Sequence, residues 1–429
     1  MNCLRACQDA PSGFTTDAGS CIVSSALAGI RVLDLSRVLA GPWATQILGD
    51  LGAEIVKIER PGTGDDTRAW GPPYVKDAGY SAYYASTNRN KRSVTVDLAH
   101  AAGQELIVAL ARKSDVLVEN FKVGGAARLG LDYATINTIN PRLIYCSITG
   151  FGQTGPYAPR AGYDAMIQAM GGLMSITGKP KAEPGSSPQK VGVAVVDLST
   201  GLYATIAILA ALVQRTQTQL GQYIDLSLLD VSVAMLAYQG MNFLTTGVAP
   251  DRPGNAHPSI VPYQDFPTRD GWIMLAIGND SQFARFCRCV GHDDWSSDPR
   301  FATNQQRVTH RPALIPLLTQ IIKERDTGAW IKTLEAASVP CGPVNNIAET
   351  FNDPQVLARD LRVEIPLDRA EGAMAQAVPS IASPLRLSAS PVNYRLPPPA
   401  LGAHTHLVLA EILGLDPGQL AALAKQGTI

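Results

Sequence analysis

The chain has 429 residues, with 36 Lys and Arg against 37 Asp and Glu and a formal net charge of −1. Near-neutrality argues against nucleic acid or an anionic membrane as the main partner, because both call for a basic surface that displaces counterions. Hydrophobic residues make up 46% and charged residues only 17%, below the roughly 25% of an average soluble chain, so much surface must be buried in cores or in a subunit interface.

A prior of about 100–200 residues per domain implies two or three domains. The longest apolar stretch, Gly201 to Val213, falls short of the roughly 20 residues that span a bilayer, which points to a soluble protein with no membrane partner. Seven cysteines at irregular spacing fit a reducing compartment and not a disulfide framework. Cys287-Arg-Cys289 with His292 lacks the second ligand pair of a metal site, so no metal is expected. Residues 1–28 read as a loose tail; Asp9 and Asp17 weigh against a transit peptide, so the cytoplasm is the expected compartment and the mitochondrion the alternative.

From Ile30 strand and helix patterns alternate. Ile30 to Leu35 and Glu54 to Glu59 are short buried strands around a helical Trp43 to Leu51, the βαβ order of a parallel sheet. The pattern recurs as strands at Ser93 to Asp97, Asp115 to Glu119 and Leu143 to Ile148, with a helix from Gly103 to Arg112. A Gly- and Pro-rich segment follows, with a helix at Tyr163 to Met174, then an apolar run Val191 to Val196, a helix from Ser199 to Gln214 and a strand near Gln222 to Leu226. Four prolines between Asp251 and Pro267 mark a junction. Beyond it, a strand at Ile273 to Ile277 and helices at Gln282 to Val290 and Arg311 to Glu335 predict a small α+β unit. A return segment closes on a helix from Leu407 to Lys425. The expected division is tail 1–28, large domain 29–230, linker and small domain 231–335, and return segment 336–429.

In an open parallel sheet ligands sit at the carboxyl ends of strands. Asp197 follows the run Val193-Ala-Val-Val196 and precedes a helix. It can serve as a helix N-cap, as a partly desolvated nucleophile at a strand-to-helix edge, or as both. Arg60-Pro-Gly-Thr-Gly-Asp-Asp-Thr-Arg68 after the second strand can hold a phosphate or be a solvated loop, and Asn88-Arg-Asn-Lys-Arg-Ser93 sets three cations before a strand, a surface cluster or a grip for a polyanion. His257 lies in a dense polar loop, where a structural role and a substrate contact are both open. No G-x-G-x-x-G, Walker lysine or G-x-S-x-G motif occurs at the required places, which removes ordinary dinucleotide, P-loop and serine-hydrolase readings.

Together Val38-Leu-Ala-Gly-Pro42, Leu51 to Gly62, Asn88 to Ser93, Val118-Glu-Asn-Phe121, Gly150-Phe-Gly-Gln-Thr-Gly-Pro156 and Val339-Pro-Cys-Gly-Pro343 resemble the class III coenzyme A transferases from about Gly29 to the C-terminus. The resemblance implies an α/β fold, with a Rossmann-like large domain built from both chain ends, a small α+β domain and an interlocked, ring-like homodimer. It implies coenzyme A thioesters and carboxylic acids as substrates, with no permanently bound cofactor. Asp197 matches the family nucleophile, which forms an aspartyl anhydride and then an aspartyl-CoA thioester. CoA contacts carry over to Val38, Leu39, Ala40, Arg60, Val96, Asn120, Phe121 and Arg128. Leu39 stands where the formyl-CoA enzyme has glutamine, and Ala99 replaces a lysine, against formyl or oxalyl substrates; Tyr163 replaces a racemase histidine before Asp164, against racemisation. Gly64-Asp-Asp-Thr-Arg68, Arg160-Ala-Gly-Tyr-Asp164 and Ala256 to Gln264 resemble the branch that moves CoA from succinyl-CoA to glutarate or a like dicarboxylate; itaconate, mesaconate and carnitine-like acids are the alternatives. Arg68, Arg89 and His257 are then candidates for the distal carboxylate, Arg68 foremost because a guanidinium grips it through two N–H bonds, with Tyr163 and Asp164 beside the substrate.

Overall fold

The computed structural model describes residues 25–367 and 377–429, so the expected N-terminal tail lies outside the described residues up to residue 24. Six strands, β1 (Arg31–Asp34), β2 (Glu54–Glu59), β3 (Lys91–Thr95), β4 (Val116–Glu119), β5 (Ile144–Thr149) and β6 (Tyr223–Ser227), form one parallel sheet in the order β3-β2-β1-β4-β5-β6. Every residue of β4 and β5 is buried, the near-continuous apolar run of a strand covered on both faces. Strand order reverses between β1 and β4, so the loops that follow them part and leave a crevice at their carboxyl ends.

Successive residues of β1 face opposite cores. Val32 packs with the helices Ala40–Asp50 and Val195–Thr218 through Ala44, Leu48, Ala204 and Ile208. Leu33 packs on the other side with Ile107 and Leu110 of the helix Ala101–Arg112, and with Val408, Leu409 and Leu420 from the last two helices, Thr405–Leu413 and Pro417–Lys425. Both ends of the described chain thus share one core. The helix Val195–Thr218 has the length and composition to cross a bilayer, but its buried face lies in this core. It approaches the helix Ala40–Asp50 closely at Gly201, where a Cβ would stand 2.7 Å from the Ala40 carbonyl oxygen and 2.9 Å from the Trp43 ring.

A separate cluster around Phe266, Phe283, Phe286, Leu314 and Trp330 is the core of the small unit. It packs the antiparallel strands Tyr263–Pro267, Trp272–Ala276 and Cys341–Pro343 against the helices Asp280–Val290, Arg311–Ile322 and Thr327–Ala336. Several predicted elements shift or break: the helix expected at Tyr163 to Met174 is two pieces, Asp164–Met170 and Leu173–Ile176, and the one expected at Arg311 to Glu335 is also two. Strand β3 starts at Lys91, so Lys91 and Arg92 lie inside it and not before it. The run Val191 to Val196 is no strand; the helix already begins at Val195. The helix predicted from Leu407 to Lys425 is broken at Gly414, whose φ of 71° is left-handed, with Pro417 opening the second piece.

Candidate active site

The crevice between β1 and β4 is closed at its floor by Asn120. Its Oδ1 accepts from Arg37 N at 2.9 Å and its Nδ2 donates to Arg37 O at 2.8 Å, tying the turn after β1 to the loop after β4. Above that clamp Val38, Leu39, Ala40, Phe121, Arg128 and Tyr163 line a cavity of about 440 Å³ together with Asp197. Arg60 and Val96 line a neighbouring cavity of about 270 Å³ that shares Arg37, Phe121 and Leu129 with the first. Two aliphatic and aromatic residues therefore link two compartments into one extended cleft, the shape required by a long ligand with separate ends.

Asp197 is the third residue of the helix Val195–Thr218, not its N-cap. The cap is supplied from elsewhere: Asp164 Oδ1, at the start of the helix Asp164–Met170, accepts from Val196 N at 2.8 Å and Asp197 N at 3.2 Å. Asp164 Oδ2 accepts from Gln168 Nε2 at 2.6 Å, and Gln168 Oε1 accepts from Val191 N at 2.9 Å. These bonds satisfy orphan N–H groups of the helix start and fix the backbone that carries Asp197. Burial, followed by the adjacent Asp164 charge, pushes the Asp197 carboxyl up to about 7. Tyr83 stands nearby; burial, then the charges of Asp197, Asp164 and Asp65, push its phenol up to about 12, so it keeps its proton and remains a donor.

The cations expected to hold a distal carboxylate are elsewhere. Arg68 makes a two-bond pair with Glu59 (Nε to Oε2 2.8 Å, Nη2 to Oε1 2.6 Å) and also donates to Tyr84 Oη and Pro399 O. It is buried and committed, which corrects its ranking. Arg89 grips Asp50 in the same way and donates to Ile381 O, pinning the return segment to the large domain. Lys91 is buried against Asp34, and Arg92 bridges Glu54 and Glu411, so the cluster from Asn88 to Ser93 is internal cement and not a phosphate grip. His257 stacks on Tyr238 with ring centroids 5.6 Å apart and accepts from Ser259 N; it lines neither cavity. Arg160, which lines the cleft with Asp197 as Arg37 and Arg128 also do, is stacked 3.9 Å from the Tyr157 ring centroid. In the sequence it stands only as part of Arg160-Ala-Gly-Tyr-Asp164 and was given no role, because a loop arginine after Pro159 is also what a solvated turn carries.

The raised carboxyl has a consequence for stability. An Asp with an ordinary value near 3.8 in the unfolded chain and about 7 in the native one loses its proton first on unfolding, so native stability falls as pH rises from about 4 to about 7. Asp197→Asn is therefore expected to unfold at higher urea than wild type at pH 8, with the gain vanishing near pH 4; an equal gain at both pH values would contradict the origin in ionisation.

A family model described as CoA-transferase family III matches residues 27–405. A succinate–glutarate CoA-transferase from Agrobacterium fabrum is 49% identical over 390 residues, 90% of this chain and 95% of that protein. A succinyl-CoA:glutarate CoA-transferase from Homo sapiens is 44% identical, over 94% of this chain and 90% of that one. Among solved structures, a CAIB/BAIF family protein from Brucella suis superposes with a TM-score of 0.81 at 45% identity, over 91% of this chain and all of that chain. With the α/β fold and the extended cleft on one side and these matches on the other, the chain belongs to CoA-transferase family III and is an enzyme that transfers coenzyme A between thioester and carboxylate substrates.

Proposed function

We propose that this enzyme moves CoA from succinyl-CoA or a similar donor to glutarate or a like dicarboxylate, with Asp197 as nucleophile. The observation that carries the reading is a single carboxylate, raised to about 7, on the first helical turn beside the extended cleft; the names of the relatives supply the substrate class. An Asp197 oxygen attacks the thioester carbonyl, the C–S bond breaks, and CoA leaves as thiolate from a mixed anhydride. The thiolate attacks the aspartyl carbonyl, giving the aspartyl-CoA thioester and releasing the donor acid as carboxylate. The acceptor carboxylate attacks that thioester, and the returning thiolate takes the new acyl group and frees Asp197. Activation is conserved at each step, so no ATP is consumed. The desolvation that raises the carboxyl also strengthens it as a nucleophile once ionised and keeps water from the anhydride.

CoA reaches the cleft, in this reading, along Val38, Leu39 and Ala40, with Phe121 and Arg128 beside it and its adenosine end at Arg60 and Val96. Asn120 acts through its clamp on Arg37. The distal carboxylate falls to Arg160, because it lines the same cavity as Asp197 and a guanidinium can grip a carboxylate through two N–H bonds. The apolar residues left exposed on the helix Val195–Thr218, Leu202, Tyr203, Ile206 and Val213, and on the helix Ala237–Thr246, Tyr238, Met241, Phe243 and Leu244, form the kind of surface that a second copy covers, which supports the interlocked homodimer.

Three experiments test these statements. Incubation with succinyl-CoA followed by peptide mass spectrometry is expected to place the label on Asp197, at a rate that falls as pH drops below about 7; Asp197→Ala loses label and turnover but still binds CoA, and full turnover in that variant would refute the nucleophile. Arg160→Met is expected to raise KM for glutarate about 10- to 100-fold, the worth of roughly 1.5–3 kcal/mol for a charged hydrogen bond, while leaving a monocarboxylate acceptor nearly unaffected; equal effects on both acids would remove Arg160 from that role. Light scattering is expected to return twice the chain mass of 45.6 kDa, and a monomer would exclude the dimer.

A further inference from the structure

The turn between β1 and the helix Ala40–Asp50 is built in a conformation that its own sequence disfavours. Val38 has φ 72°, the left-handed region, which a β-branched residue rarely adopts. Leu39 and Ala40 are buried at 7% and 5% exposure. Yet among the described residues their N–H groups have no acceptor, although buried amides are otherwise almost always paired. Both residues line the cavity that holds Asp197. The turn is strained and presents unspent donors to the cleft.

What opposes the strain comes from beneath. Asp65, whose side chain is fully buried, accepts the Val38 N–H with both carboxylate oxygens at 3.3 Å. Its Oδ1 also accepts from Thr67 N at 3.0 Å and Thr67 Oγ1 at 2.8 Å. Lys57, equally buried on β2, donates to Asp65 Oδ2 at 3.0 Å and to Ser36 O at 2.9 Å. One ion pair thus holds the turn by the carbonyl of Ser36 and the amide of Val38. Burial alone would push the Asp65 carboxyl up; the Lys57 charge and the bonds from Thr67 carry it below its ordinary range, so it is the acceptor-only form that meets Val38.

We propose that Asp65, kept ionised by Lys57, is a positioning residue of the transfer reaction: it holds Val38 left-handed so that the Leu39 and Ala40 N–H groups are presented to the acyl-CoA. This deepens the transferase reading above and rests on it. Asp65 and Lys57 also border the compartment of Arg60 and Val96, but the effect proposed on Leu39 and Ala40 travels through the backbone of one turn.

Two double variants separate the acceptor from the charge. Lys57→Met with Asp65→Leu removes the charges and the acceptor together; Lys57→Met with Asp65→Asn removes the charges but leaves an oxygen for the Val38 N–H. Replacing both members of a buried ion pair is tolerated far better than removing one. Thermal unfolding is measured for each, along with kinetics in which acyl-CoA and acceptor acid are varied in turn. The Leu pair is expected to raise KM for acyl-CoA by about tenfold or more, with KM for the acid within about twofold, and the Asn pair to recover most of that loss. The same acyl-CoA KM in both pairs, or a change confined to the melting temperature, overturns the proposal.

Amide hydrogen exchange on the unmutated enzyme decides the matter even if neither pair folds. Val38 is expected to exchange slowly without ligand, and Leu39 and Ala40 to slow only when CoA is added; Val38 exchanging as fast as Leu39 overturns the proposal. The label on Asp197 judges the transferase reading separately. Wild type that takes the label while both pairs keep its acyl-CoA KM refutes the positioning role alone, whereas wild type that takes no label refutes the reading on which it rests.

Discussion

Charges buried on β1, β2 and β3 are the constraint on which the site depends. Asp34, Lys57 and Lys91 sit on adjacent parallel strands with no exposed surface, where each would be prohibitively costly alone. Asp34 accepts from Ser36 and Thr45 and pairs with Lys91, which also donates to Pro42 O at 2.9 Å. Burial drives the Asp34 carboxyl up, but Lys91, Lys57 and the two hydroxyls bring it down to about 2; burial brings the Lys91 ammonium down to about 8 against the pull of Asp34. The cluster is therefore ionised across the range between those values. Every member ends on the backbone of residues 36–42, so the energy of desolvation is converted into a turn of defined shape.

The same logic repeats across the crevice. Asn120 holds Arg37 from the loop after β4, and Asp164 holds Val196 and Asp197 from the helix opposite. Asp197 and the turn of Leu39 and Ala40 therefore lie on segments whose own backbone is held by side chains from three other parts of the chain, which is how a site is preorganised. Gly201 permits the close crossing that brings the helix of Asp197 against Ala40; any side chain there would separate the two halves of the site.

Charge type misled the reading of cations, and it made Asp197 stand out among the carboxylates. Asp197 was identifiable because a carboxylate after an apolar run is unusual and because it falls at the matching point of the family pattern. Arg68, Arg89 and Lys91 look like ligands in sequence since cations beside turns and strand starts normally meet solvent. Their partners Glu59, Asp50 and Asp34 are 9, 39 and 57 residues away, and nothing in a linear pattern pairs them. Arg160 presents the converse: a loop residue given no role in sequence, it comes to line the cavity of Asp197 only in the folded chain.

By itself the sequence determined the periodic elements, the parallel α/β class and the ordered motifs that resemble family III, because strand and helix periods and turn residues are local properties of the chain. The six strands fall where apolar runs placed them, apart from the start of β3, whose buried Lys91 and part-buried Arg92 defeat any hydropathy reading. Tertiary structure alone decided the strand order, the capping of one helix by Asp164 from another, the left-handed Val38 and the commitment of three cations to internal pairs. Those features depend on the burial and partner of each charged group, and the cost of desolvation that selects among partners exists only once the core has closed.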